Sequence, residues 1–178
     1  MVAIAQHAII DQLDAGDAGT SAQKGAALEN VVEQTMCLFD GVGVIHRNVE
    51  DLPGSLEIDL ILYNHQVKGS GLPFLPPLLI IECKNWAAPV DTATLRAFTS
   101  KVHGMRLKFG LLVAANGITG DAEDVTAAHA HLRDTFKLDG EIVLVVTRAE
   151  LCGVTSTDEL GALLREKYGK FIMGMAAF

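Results

Sequence analysis

Four short, mainly apolar runs most constrain how this chain can fold. They are LEIDLILY at 56–63, LLIIECK at 78–84, FGLLVAA at 109–115 and EIVLVVT at 141–147. Each is too short for an ordinary helix and too apolar to keep a wet face, so each reads as a strand buried within a sheet. A shorter run, Gly43 to Asn48, reads as a strand ahead of them. Between the runs the apolar period lengthens. Leu28, Val31, Val32 and Thr35 or Met36 recur at helical spacing within Lys24 to Leu38, with Ser21 placed to cap the start. Leu95, Phe98, Val102 and Met105 share one face of a helix that Asp91 can cap, and Asp121–Phe136 and Asp158–Tyr168 read as helices too. The order is helix, three strands, helix, strand, helix, strand, helix. It predicts an α/β fold of three layers, a central mixed sheet flanked by helices. Residues 1–21 are expected to form an N-terminal arm or short helix that ends in the flexible link DAGDAGTS, and residues 22–178 the domain proper. The link NHQVKGSGLPFLPP at 64–77 reads as a long loop, available as a partner or ligand surface.

A chain of 178 residues is the size of one domain. With 49% hydrophobic residues it has enough apolar matter for a core without staples. No apolar run reaches membrane-spanning length, since the longest, Leu72–Ile81, contains Pro73, Pro76 and Pro77. The start, MVAIAQHAIID, lacks a basic leader and a small-residue cleavage site, so no signal peptide is expected. Cys37, Cys83 and Cys152 are an odd set without CxxC spacing, which suits reduced thiols in the cytoplasm rather than disulfides or a zinc site.

The net charge of −8 argues against a generic nucleic-acid coat protein. Its placement matters more than its sum. Residues 1–60 hold ten acids against Lys24 and Arg47, and so carry all of it. Between Asp91 and Asp121 there is no acid, but there are Arg96, Lys101, Arg106 and Lys108. That stretch is either a solvated helix face or a strip for a polyanion.

The chemistry concentrates at Glu82-Cys83-Lys84. Side chains alternate along a strand, so Glu82 and Lys84 share one side and Cys83 takes the other. Alone, the triplet is weak, because a strand leaving the core can end in a surface ion pair. Asp59, enclosed by Ile58 and Leu60, adds an acid inside the preceding strand. Strands consecutive in sequence are usually neighbours in space, so the two acids are expected to form a carboxylate pair. Close carboxylates repel, and a divalent cation relieves the repulsion. Hard oxygen donors with no His or Cys side chain among them suit Mg2+, with Mn2+ as a substitute. A lysine two residues beyond the second acid can hold a water or a phosphate oxygen. Together these are the parts needed to hydrolyse a phosphodiester.

Asp59 followed by Glu82-Cys83-Lys84 on the next strand resembles the PD-(D/E)XK nuclease superfamily, and its Mrr-like restriction endonuclease branch most closely. KGAALENVVEQ in the first helix, ECKNW as a whole, and GLLVAANGIT support the likeness, which spans roughly residues 22–150. The resemblance implies a metal-dependent endonuclease acting on DNA, with RNA left open as an alternative substrate. It implies Asp59, Glu82, Lys84 and Glu29 as catalytic residues. Asp59, Glu82, the Cys83 carbonyl and Glu29 would be the metal ligands. Ile58 stands where the family name has proline. Mrr-like proteins often carry a separate DNA-recognition domain, for which these 178 residues leave no room.

Other polar residues fit less sharply. Glu33 lies four residues after Glu29, so like charges stack on one helix face. Lys24 is placed to meet phosphate or simply to be solvated, and Trp86 to stack on a base or pack on its loop. Arg96, Ser100 and His103 share one helix face that, with Lys101, can follow a phosphate backbone. His129 and His131, two apart on a helix, read as surface histidines, and Asn116-Gly117 as a turn. The competing reading is a non-catalytic binding module that kept the nuclease fold. A nucleotide-binding protein is disfavoured by the lack of GxGxxG and GxxxxGK[ST]. Duplex cleavage needs two cuts, so a homodimer or a recruiting partner is expected, with the 64–77 loop or the apolar FIMGMAAF tail as contact.

Overall fold

A computed structural model describes residues 1–50, 57–122 and 126–175. Strands β1 (Val42–Glu50), β2 (Glu57–Asn64), β3 (Leu78–Lys84), β4 (Phe109–Ala114) and β5 (Ile142–Val146) form one sheet in that spatial order. β1, β2 and β3 run antiparallel, whereas β3, β4 and β5 run parallel. The parallel pairs are joined through α3 (Thr92–Gly104) and α4 (Ala127–Asp139), because parallel neighbours need a crossover. β4 and β5 are buried along their whole length, which explains their unbroken apolar sequence. β1 is the edge strand opposite β5 and mostly exposed, and its pairing with β2 shifts between Val44 and His46.

Helices cover both faces of the sheet. On one face α3 lies directly over Gly110, where an added Cβ would come within 2.9 Å of the Phe98 ring and 3.0 Å of Val102. Leu111, Val113 and Val146 occupy the other face. They meet Val32 and Met36 of α2 (Ser21–Met36), Leu151 of α5 (Arg148–Gly153) and Leu160 and Leu164 of α6 (Thr157–Ile172). The gap they enclose is about 10 Å³, too small for a ligand. Each fully buried leucine there stabilises the fold by about 1.5–3 kcal/mol. α1 (Gln6–Asp17) seats Ile9 and Leu13 in the core, and its Gly16 abuts Ala27 of α2. Among the described residues no helix is long and apolar enough to cross a membrane.

Several local expectations need correction. Thr20, not Ser21, caps α2, and a reciprocal pair with Gln23 satisfies two backbone donors. Half of the expected flexible link, Asp14 to Asp17, is the last turn of α1. α4 begins at Ala127 rather than Asp121. The Asp121 amide instead donates to Thr126 Oγ1 at 2.8 Å, closing a turn that follows Gly120 at φ +103°. Residues 123–125 of the expected helix lie outside the described residues. Met105 is the C-cap of α3 and exposed, not part of its apolar face. His129 is buried, and His131 is half-buried with Nε2 at 2.8 Å from Thr99 Oγ1, so neither is a surface histidine. Burial holds both rings below the ordinary histidine pKa, with Arg96 adding to the effect at His131. The 64–77 loop folds inward. Leu72 and Leu75 are in the core, and Asn64 Nδ2 donates to the Leu72, Leu75 and Pro76 carbonyls at 2.9, 3.1 and 3.2 Å.

Candidate active site

The site forms where β2 and β3 leave the covered part of the sheet. Leu60 pairs with Ile81, so the antiparallel register sets Asp59 opposite Glu82 on one face. Lys84, two residues on, projects to that same face, while Cys83 points into the core. Burial pushes the Cys83 thiol well above its ordinary value, which leaves it inert.

The two acids are treated differently. Glu82 is buried and matched by two cations. Lys84 Nζ lies 2.7 Å from Oε1, and Lys101 Nζ of α3 lies 2.9 Å from Oε2 and 3.1 Å from Oε1. Asp59 is buried as well, but its carboxylate accepts one short bond, from the Cys83 amide at 2.6 Å. Its acidity shows the difference. Burial drives the Asp59 pKa up to about 6, the Cys83 amide opposes that, and the Glu82 charge adds to it. Burial pulls the Lys84 ammonium down, yet its bond to Glu82 and the Glu82 and Asp59 charges hold it above its ordinary value.

Glu29 of α2 is close enough for its charge to act on Asp59 and Cys83. Its like-charged neighbour Glu33 is tolerated because Arg47 of β1 bridges the two, at 3.5 Å from Glu29 and 3.4 Å from Glu33. The two basic residues of the acidic first third are thus both in use, since Lys24 pairs with Asp17 at 3.2 Å.

A cleft of about 510 Å³ opens beside these groups. It is lined by Glu29, Asp59, Cys83 and Lys84, and also by Lys24 and Trp86 from the residues expected to touch nucleic acid. The Lys84 ammonium stands 6.0 Å from the Trp86 ring centre. Arg96, Ser100 and His103 do not join this cleft. Ser100 and His103 line a separate hollow of about 390 Å³ between α3 and α4, and Arg96 is exposed. Lys101 belongs to the acid cluster rather than to that helix face, a role that sequence spacing did not reveal. Asn85 was also missed. Buried just after Lys84, its Nδ2 donates to the Lys24 carbonyl at 2.9 Å and ties the end of β3 to the start of α2. Its place inside ECKNW was the available clue. Asn116 does more than turn the chain, because its Nδ2 holds the Trp86 carbonyl at 2.6 Å.

The donor chemistry fits a hard divalent cation. Asp59, Glu82, Glu29 and the Cys83 carbonyl supply only oxygen, and Asp59 is a buried carboxylate with no ion pair of its own among the described residues. Among the described residues no three His, Cys, Asp or Glu side chains converge as a metal-holding group, and Glu82 faces its two lysines instead.

A five-stranded mixed sheet between helix layers, with an acid on the second strand and Glu-x-Lys on the third, defines the PD-(D/E)XK class of nuclease folds. The chain belongs to the restriction endonuclease family, of the Mrr catalytic type, whose model matches residues 21–153. Neither the curated proteins nor the solved structures compared with the chain gave a match.

Proposed function

We propose that this protein is a Mg2+-dependent endonuclease that hydrolyses DNA phosphodiester bonds, of restriction or repair type. The observation that carries this is Asp59 and Glu82 held opposite each other with Lys84 on the same face, Asp59 and Lys84 lining a cleft large enough for a nucleotide unit. Asp59 and Glu82 would hold the ion, with the Cys83 carbonyl and Glu29 assisting. When bound, the ion polarises the scissile phosphate and makes its water more acidic. Mn2+, which takes the same oxygen donors, is expected to substitute.

The chain's own residues do the rest. Lys84 is a charged donor fixed by Glu82, so it can orient the attacking water and offset negative charge that builds on the phosphate. Arg47 keeps Glu29 in place beside Glu33. Lys24 can exchange Asp17 for a backbone phosphate, and Trp86, still 45% exposed, offers a ring for stacking. Arg96, being exposed, is the remaining candidate for backbone contact on α3.

Cutting both strands requires a second site. We therefore expect a homodimer or a recruiting partner, acting in the cytoplasm. Ile172, Met173 and Met175 of the tail are exposed and available as its contact, while Phe171 is buried in the chain's own core. Residues 176–178 of the tail lie outside the described residues. The deciding experiment is plasmid nicking with Mg2+, Mn2+ or chelator. Metal-dependent conversion of supercoiled to open or linear DNA is expected. A folded protein that binds nucleic acid but never cuts would replace this reading with the non-catalytic binding module.

A further inference from the structure

Lys101 is the cation of the site that the proposed chemistry leaves unexplained. It comes from α3, reaches across to Glu82, and spends all its hydrogen-bonding capacity there. An ammonium has three donors, and Lys101 makes three contacts: both Glu82 oxygens and the Glu57 carbonyl at 2.5 Å. In this arrangement it is not free to follow a nucleic-acid backbone.

The charges state the consequence. Asp59 and Glu82 against Lys84 and Lys101 sum to zero, and Glu29 and Glu33 share the single charge of Arg47, which brings the surroundings to −1. A divalent cation arriving alone would leave the cluster at a net +1, set beside two lysines in a half-buried place, where like charges repel strongly. It would also have to displace a lysine from the carboxylate it needs. A phosphodiester arriving with the ion brings negative charge and offers the released ammonium a new acceptor.

Resting on the nuclease reading above, we infer that Lys101 is a positioning residue that latches Glu82 until substrate arrives, and so couples metal uptake to DNA binding. The latch disfavours metal in the free protein. When DNA enters, Lys101 moves from Glu82 to a phosphate oxygen, and Glu82 turns to the ion. Coupling of this kind is reciprocal, so metal must tighten DNA binding by the same factor.

The test is Mn2+ binding followed by electron paramagnetic resonance, with and without a short phosphorothioate duplex that resists hydrolysis. Wild-type protein should bind Mn2+ about tenfold or more tightly with the duplex, within the usual span of such couplings. Lys101→Met should bind Mn2+ about tenfold more tightly than wild type without duplex and gain much less from adding it. Lys101→Arg, which keeps the charge, should stay near wild type. A merely structural lysine would change thermal stability in Lys101→Met and leave metal affinity alone. A folded Lys101→Met with unchanged or weaker Mn2+ binding overturns the latch. If that variant does not fold, the wild-type pair of titrations decides, and the absence of a gain with duplex overturns it. Metal bound by wild type without coupling removes the latch only. No metal bound under either condition removes the nuclease reading as well.

Discussion

Two polar hollows of the molecule use charge in opposite ways. The cleft beside β2 and β3 draws Asp59, Lys84 and Glu29 from three separate elements and leaves them open to a ligand. The hollow between α3 and α4 gathers His103, His131, Thr99 and Glu141, a set that looks equally chemical. Its carboxylate is sealed, however. Glu141 Oε1 pairs with His103 Nδ1 at 2.8 Å, while Oε2 is shut off from solvent with no partner among the described residues. An oxygen that water cannot reach cannot serve a substrate. A cluster of reactive side chains becomes a site only when its charged atoms are both held and accessible.

That contrast can be broken most severely at Asp59. Asp59→Ala should abolish cleavage while leaving DNA binding intact or slightly tighter, because a negative charge near phosphate is gone. Gel-shift and nicking assays on the same preparation separate the two effects. A folded Asp59→Ala that cuts at the parental rate would move the active centre elsewhere. Lys84→Ala should cost on the order of a hundredfold in rate, the size of losing one preorganised charge stabiliser. Single-turnover kinetics at saturating metal will show it.

The next effect is on stability rather than rate. The folded protein holds the Asp59 proton up to about pH 6, whereas an ordinary aspartate releases it near 3.8. Because the folded value is raised, the stabilising contribution is complete below the unfolded value and is lost as pH rises through 6. Without metal, wild type should therefore lose on the order of 1–2 kcal/mol more than Asp59→Asn between pH 4.5 and 7.5, as urea unfolding measures. Equal pH slopes in the two proteins would show that Asp59 carries no such burden.

Glu29→Gln should slow cleavage about tenfold, the low end for groups acting behind a metal's direct ligands. The smallest change is expected in the other hollow. His103→Ala and Ser100→Ala should alter the cleavage rate by less than about threefold, within the usual range for surface substitutions. A hundredfold loss at His103 would erase the distinction between the two hollows.

The strands were legible in the sequence because burial on both faces writes itself as continuous apolar runs. β3 was read to the residue, and the Asp59 and Glu82-x-Lys84 pattern stood out because charge inside such runs is rare. The connections were less legible. α5 is six residues long, too short to show a period, although Thr147 and Glu150 form a capping box around its start. The acids after Gly120 resembled a helix start, but Thr126 takes the Asp121 amide first. The 64–77 loop read as surface because prolines and glycines mark turns, yet one buried amide, Asn64, folds it inward. Lys101 was invisible as a partner of Glu82 because that contact depends on how α3 crosses the sheet, which no local spacing encodes.

The shifted pairing in β1 has a consequence for handling the protein. A nine-residue outer strand with Val44 and Ile45 exposed would, if straight, be a template for another extended chain. The slip between Val44 and His46 and the left-handed backbone of Asn48, at φ +47°, break its row of free donors and acceptors twice. Concentrated solutions should therefore resist filament growth along this edge. Straightening it, by deleting Ile45 and replacing Asn48 with a β-branched residue, should make the protein accumulate thioflavin-binding aggregates.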